Sequence, residues 1–337
     1  MLFVTNRVFD QGPTPFNAAD NSYQLPRSVS FNLDNNQAEQ SVYFCRRERA
    51  DNYTEIGSQQ FFNQLKNAKQ AQILFYIHGF NNFPEMTIFP KTQELQKLFD
   101  QKNHEDEDAN ESVLVVPVIW PCDNDRGILD DYFDDQKAAD ASDFAYMRMF
   151  EKFLNWRKGG DSLADPCTKR INILAQSMGN RVLRGALKRA VQYYQPEGPP
   201  LIFRNIFMLA ADVVNETLES GQEGEFIPQT ARNVLVYYAA DDLSLRASKV
   251  VNVRNAISSR RLGHTGPERI EKVAKNVYAI DCDDFNTNYD SPNGHNYFAG
   301  DPQGNPGIAF NHIWQCIKTG RIPGDRVQVL NAETFNT

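Results

Sequence analysis

Several familiar signals are missing from this chain. No apolar run approaches the roughly 20 residues that a helix needs to cross a bilayer; the longest, such as "QILFYIHG" (Gln72–Gly79) and "SVLVVPVIWP" (Ser112–Pro121), are strand-sized. The opening "MLFVTNRVFDQG" lacks the basic-then-apolar pattern of a secretory leader. There is no C-x-x-C pair: five cysteines, Cys45, Cys122, Cys167, Cys282 and Cys316, are odd in number and widely spaced. That pattern argues against a disulfide framework and for free thiols in a reducing compartment, so the expected location is cytoplasmic. Asn52, Asn110 and Asn215 begin N-x-S/T triplets, which carry no meaning without a secretory route. No Lys/Arg-rich stretch occurs and the net charge is −8, which excludes the basic face of a nucleic-acid binder and disfavours an anionic membrane surface. H-E-x-x-H, EF-hand spacing and Cys/His clusters are absent, so neither metal nor cofactor is expected. No internal repeat is present.

What is present is an alternation of apolar strands and amphipathic helices. With 337 residues, 41% hydrophobic and 23% charged, the chain has an ordinary globular composition and can bury a core without staples. Eight segments read as strands: "LFVTNRVF", "SVYFCRR", "QILFYIHG", "SVLVVPVIWP", "RINILAQ", "IFRNIFMLAA", "RNVLVYYAA" and "NVYAIDC". Pro117 counts against the fourth. Strands apolar on both faces imply a parallel sheet covered by helices on both sides. Helices are predicted over Lys91–Gln101 and Asp140–Trp156, after Ser177, and in "GIAFNHIWQCIKTG", which ends on a glycine stop. After Ser177, Val182, Leu183, Ala186, Leu187, Ala190, Val191 and Tyr194 form one stripe at a 3.6-residue period. This is the pattern of a doubly wound α/β architecture. The expectation is a single domain over residues 1–337, with loop excursions near 11–40, 101–111, 122–140 and 215–229. The third excursion carries seven aspartates and leaves the carboxyl edge of a strand, where ligands collect in open α/β sheets.

The chemical signal is strongest in "INILAQSMGNRVLRGAL", where a strand breaks into a helix with Ser177 at the corner. A serine hydroxyl needs a base, a group to hold that base, and two preset donors for the oxyanion. A strand-to-helix elbow pushes the serine out of the sheet and aims the next N–H, that of Met178, at the developing charge. The usual elbow is Gly-x-Ser-x-Gly; Gly179 fits, and Ala175 replaces the first glycine. Alone this motif is weak. Three other features add to it. His78-Gly79 ends an earlier strand, where the loop supplying the second oxyanion donor begins, making the Phe80 N–H the candidate and His78 a supporting residue. "YYAADDLSL" puts Asp242 after a later strand as the acid, with Asp241 and Asp212 as alternatives. For the base, His295 follows the last strand on a Pro-Asn-Gly loop. His264 lies in a polar loop, and His312 sits within the closing helix beside Phe310, Ile313 and Trp314.

Together these residues resemble an uncharacterised, mostly bacterial α/β-hydrolase family of predicted esterase or lipase-like activity. The likeness is carried by Thr5-Asn6-Arg7, "HGFNN" (His78–Asn82) and Trp120-Pro121. It continues through the series Tyr132, Asp135, Ala138 and Ser142, and through "SMGNR" (Ser177–Arg181). It ends with Asp242, Leu245 and Ser248, and with Gly294-His295-Asn296-Tyr297. It covers roughly residues 70 to 300. The resemblance implies an α/β-hydrolase fold, a mostly parallel central sheet of about eight strands with helices on both faces. It also implies a triad of Ser177, Asp242 and His295. The elbow of that family usually reads His-Ser-Met-Gly, and Gln176 replaces the histidine here. Gln176 is expected to line a substrate pocket, with Asn81 and Trp120. Cys122 is not expected to be a nucleophile, because no elbow holds it.

The activity these features imply is hydrolysis of a carboxylic ester on a small acyl substrate, through an acyl-enzyme. Two alternatives stay open: an amidase or peptidase with the same triad, and a non-catalytic binding protein on the same fold. The loops at Asn81–Lys91, Cys122–Asp140 and Asn215–Gln229 are expected to form the mouth. In the last, Phe226 and Ile227 read equally as a lid or as plain surface loop.

Overall fold

Strands that are apolar on both faces require cover on both faces, and that requirement organises this chain. A computed structural model describes residues 1–19, 22–106, 111–123, 125, 127–160, 167–194, 197–246, 260–301 and 303–331. The strands are β1 (Leu2–Arg7), β2 (Phe16–Asn17), β3 (Ser22–Tyr23), β4 (Arg27–Val29), β5 (Ala38–Arg49), β6 (Asn52–Glu55), β7 (Gln72–Ile77), β8 (Val113–Ile119), β9 (Arg170–Gln176), β10 (Phe203–Leu209), β11 (Ala231–Tyr238), β12 (Val277–Asp281) and β13 (Val327–Val329). The main sheet runs β13-β12-β11-β10-β9-β7-β8-β1-β5-β6-β4. Every pair from β13 across to β1 is parallel; β5, β6 and β4 extend it antiparallel. This is the doubly wound α/β architecture that was expected, with eleven strands among the described residues where about eight were expected. The additional strands β4, β6 and β13 have only 3, 4 and 3 residues, too few to show an apolar alternation in sequence. β4 and the β2/β3 hairpin lie in the 11–40 segment read as loop.

Successive side chains of a strand point to opposite faces. In β7, Ile73, Phe75 and Ile77 face one core while Leu74 and Tyr76 face the other. The first core receives Phe61, Phe62 and Leu65 of α1 (Gly57–Lys66) and Val182, Leu183 and Leu187 of α5 (Gly179–Tyr194). It also holds Phe150 and Phe153 of α4 (Asp143–Gly160). The second receives Leu95, Leu98 and Phe99 of α2 (Phe89–Glu105), with Phe310, Ile313 and Trp314 of the closing helix (Ile308–Thr319). Pro117 is tolerated inside β8 because β1 pairs with β8 only at Val118 and Ile119, just past the ring. Among the described residues no helix is long and apolar enough to cross a membrane.

The 122–140 segment is not all loop: α3 spans Ile128–Ala141. Its seven acids obscure a helical face, since Asp131, Tyr132, Asp135, Ala138 and Ala139 are buried at helical spacing, and Ser142 follows them. Likewise α2 runs on to Glu105, into the acidic segment 101–111. Because the central strands are parallel and in register (Ile77 with Ala175, Gln176 with Leu209, Leu209 with Tyr237), the loops after β7, β9, β10 and β11 leave the same edge at one level.

Candidate active site

The elbow begins where β9 ends. Ser177 has φ 52°, the left-handed region that side chains other than glycine rarely occupy. Hydrogen bonds hold it there. Ser177 N–H donates to Leu209 O at 2.8 Å, and Asp212 N–H donates to Ser177 O at 3.2 Å. Asn180 Nδ2 donates to Ala175 O at 2.9 Å and to Ser177 O at 3.1 Å. Gly179 cannot be replaced freely: a Cβ there would lie 2.6 Å from the carbonyl oxygens of both Ile77 and His78. Ala175 sits inside β9, fully buried and without a positive φ, so its methyl is accommodated.

The loop after β7 packs onto this elbow. A Cβ on Gly79 would fall 3.1 Å from Ser177 Cβ and 2.8 Å from Gln176 Oε1. Asn81, at φ 60°, donates its N–H to Asp135 Oδ2 at 2.8 Å. Asn82 Nδ2 donates to Gly79 O at 3.0 Å and Phe80 O at 2.8 Å. Asp135 also accepts from Asn36 Nδ2 at 3.0 Å and from Asp123 N–H at 3.1 Å, and burial raises its pKa to about 7. Among the described residues the amides of Phe80 and Met178 donate to no protein acceptor. His78 is fully buried, and burial drives its pKa down to about 3, so it is neutral. Its Nδ1 bonds to Gly79 O at 2.7 Å, and its Nε2 accepts from Trp120 N–H at 3.3 Å. The Trp120 indole stacks on it at 5.1 Å and donates to His78 O at 2.9 Å. Trp120 therefore sits in the core behind the loop and forms no part of the cavity wall, unlike the pocket role expected for it. Cys122 is buried, its thiol raised well above the ordinary range by burial, with Sγ donating to Asn82 O at 3.0 Å.

The candidate acid and base come from the far side. Asp242 Oδ2 lies 2.7 Å from His295 Nδ1, and its Oδ1 accepts from Leu245 N–H at 2.9 Å. Burial opposes charge on His295, but the charge and hydrogen bond of the Asp242 carboxylate, with the charges of Asp290 and Asp212, outweigh it, and the imidazole pKa is raised. Asp290 Oδ2, which the sequence reading missed, accepts from His295 N–H at 3.0 Å and Asn296 N–H at 2.8 Å. The rival acids are engaged elsewhere. Asp241 accepts from Asn286 Nδ2 at 2.6 Å. Asp212 accepts from Tyr132 OH at 2.7 Å and pairs with Arg261 at 3.0 Å. His312 bonds to Tyr237 OH at 2.6 Å in the core, with its pKa lowered to about 4 by burial. His264 lies on the helical turn Leu262–Thr265, outside the cavity.

Ser177, His295, Gln176, Asn81 and Phe80 share the wall of one cavity of about 750 Å³, together with Tyr132, Met86, Pro90 and Leu243. Of the expected mouth loops, Asn81–Lys91 contributes heavily and Cys122–Asp140 contributes Tyr132. Among the described residues Asn215–Gln229 contributes nothing, and Ile227 is packed into the core. Asp123, Asp125 and Asp131 bring carboxylate oxygens within 4.8 Å of one another, the one group among the described residues close enough to share a cation. None of the three lines this cavity.

Residues 54–306 match the family described as alpha/beta hydrolase of unknown function (DUF900). The chain belongs to this α/β-hydrolase family. The matched span contains Ser177, Asp242 and His295. No curated protein matches the chain. Among solved structures, phospholipase PlaB from Legionella pneumophila is similar at 13% identity over 67% of this chain, with a TM-score of 0.26. The chain spans 42% of that protein, and a likeness this weak carries no argument.

The residues that carry the resemblance in the sequence have structural places. Asn6 Nδ2 donates to Ser142 Oγ at 2.9 Å, and Thr5 Oγ1 donates to Ile119 O at 2.8 Å, tying β1 to β8 and α3. Tyr132 lines the cavity, and Asp135 holds the Asn81 amide beside it. Leu245 supplies an amide to Asp242. Ser248 lies outside the described residues.

Proposed function

We propose that this α/β-hydrolase is a serine hydrolase that cleaves carboxylic esters through an acyl-enzyme. The observation that carries the reading is the buried Asp242–His295 bond at 2.7 Å, with His295 lining the same cavity as Ser177 on its strained turn. His295 Nδ1–H donates to Asp242, which leaves Nε2 as the acceptor for the Ser177 proton. The serine oxygen then attacks the substrate carbonyl. The amides of Phe80 and Met178, which donate to no protein acceptor among the described residues, would receive the oxyanion. His295, now charged and stabilised by Asp242, returns the proton to the leaving alkoxide. Water repeats the sequence in reverse to free the acid. Esters are preferred in this reading because an alkoxide leaves more readily than an amide anion, so ester cleavage asks less of the general acid.

The test is labelling with a fluorophosphonate probe, wild type against Ser177→Ala. The expected result is stoichiometric labelling of the wild type and none of the variant. Folded wild type that takes up no probe would leave the fold as a binding scaffold. Turnover of anilides as fast as matched esters would move the substrate class to amides.

A further inference from the structure

Gln176 is the last residue of β9 and stands immediately before Ser177. It lines the cavity, yet both ends of its amide are bonded within the protein. Its Oε1 accepts from Gly79 N–H at 3.0 Å, and its Nε2 donates to Asn296 Oδ1 at 2.9 Å. Asn296 Nδ2 in turn donates to Asp290 Oδ2 at 3.1 Å, the oxygen that also accepts the His295 N–H at 3.0 Å. The polarity of this chain is fixed at both ends. A backbone N–H at Gly79 can only donate and the Asp290 carboxylate can only accept, so each intervening amide has one satisfied orientation. Gln176 is 5% exposed and both ends of its amide are anchored in the protein, which leaves the cavity only the second Nε2 hydrogen and the second Oε1 lone pair.

From this geometry we infer that Gln176 is a positioning residue, a strap that ties the Gly79–Phe80 loop to the His295 loop and sets the spacing between the oxyanion donors and the base. The inference rests on the serine-hydrolase reading for its catalytic meaning, and on the hydrogen bonds alone for its mechanical one. It also separates Gln176 from an ordinary pocket residue. A residue that binds substrate uniformly acts on KM; one that aligns catalytic groups acts on kcat. Side chains shorter by one methylene, as in Gln176→Asn, could not reach Gly79 and Asn296 together.

The experiment uses the full chain, with Gln176→Ala at the buried link and Asn296→Ala at the exposed one, where misfolding is not expected. With a p-nitrophenyl ester, each variant should lose kcat on the order of tenfold, with KM within about twofold. Because the bonds act in series, the double variant should be little worse than Gln176→Ala alone. Hydrogen–deuterium exchange should quicken at the Gly79 peptide in Asn296→Ala while the Ser177 elbow peptide is unchanged. Unchanged Gly79 exchange in Asn296→Ala, or a raised KM at full kcat in Gln176→Ala, overturns the strap. If the wild type proves unreactive with esters and fluorophosphonates, the hydrolase reading fails by itself, and the exchange measurement still decides whether the two loops are coupled.

Discussion

Replacing Asp242 by Asn is the sharpest perturbation of the proposed chemistry, because the structure fixes how the new amide must sit. Asp242 Oδ1 accepts from Leu245 N–H at 2.9 Å, so an Asn at 242 keeps its oxygen there and turns its NH₂ toward His295 Nδ1. The imidazole must then accept at Nδ1 and carry its proton on Nε2, the tautomer that cannot take a proton from Ser177. The charge that stabilises the imidazolium is lost at the same time, although its raised pKa depends on that carboxylate. A wrong-tautomer substitution of this kind costs about 10⁴-fold in kcat in a serine protease triad. At about 1.36 kcal/mol per decade this corresponds to about 5.4 kcal/mol of lost transition-state stabilisation. The assay is ester hydrolysis from pH 5 to 9, with thermal melts to show that the variant folds. In the wild type the rising limb should lie above the ordinary histidine value of about 6.5, because the His295 pKa is raised. An Asp242→Asn variant within tenfold of wild type at neutral pH would refute the assignment and return Asp212 or Asp241 to consideration.

Gly179→Ala should lower stability by about 2–3 kcal/mol in urea denaturation, because its Cβ meets two backbone carbonyl oxygens at 2.6 Å that no side-chain rotation can relieve. Trp120→Phe keeps the stack on His78 but removes the indole donor to His78 O; the expected loss is about 1 kcal/mol of stability with KM unchanged. A raised KM would put Trp120 in the pocket after all. Asp135 has a folded pKa raised to about 7, so its stabilising contribution is complete below the ordinary carboxylate range and is lost as pH rises through that value. The difference in melting temperature between wild type and Asp135→Asn should therefore shrink from about pH 4 to pH 7, and a difference independent of pH would contradict the buried carboxyl.

Some of this molecule is legible in one dimension because its signals are local. The central strands show as apolar runs, and the elbow shows as a strand, a serine, a small residue and a helical stripe in immediate succession. The short strands β4, β6 and β13 did not show, since three or four residues carry no period. Helix α3 was obscured because its buried face includes aspartates, and a carboxyl reads as surface until its partners are known. For Asp135 those partners are Asn36, Asn81 and the Asp123 amide, drawn from separate parts of the chain.

By itself the sequence determined the α/β class, the position of the strand-to-helix elbow at Ser177 and a short set of candidate acids and bases, because each depends on neighbours within a turn or a strand. Only the tertiary structure decided which carboxylate meets which ring, since Asp212, Asp241 and Asp242 all follow strands at one edge of the sheet. Their side-chain directions separate them: one turns to Tyr132 and Arg261, one to Asn286, one to His295. It likewise took Trp120 out of the pocket and used both ends of the Gln176 amide, because a side chain's direction and partners are set by packing across strands distant in sequence.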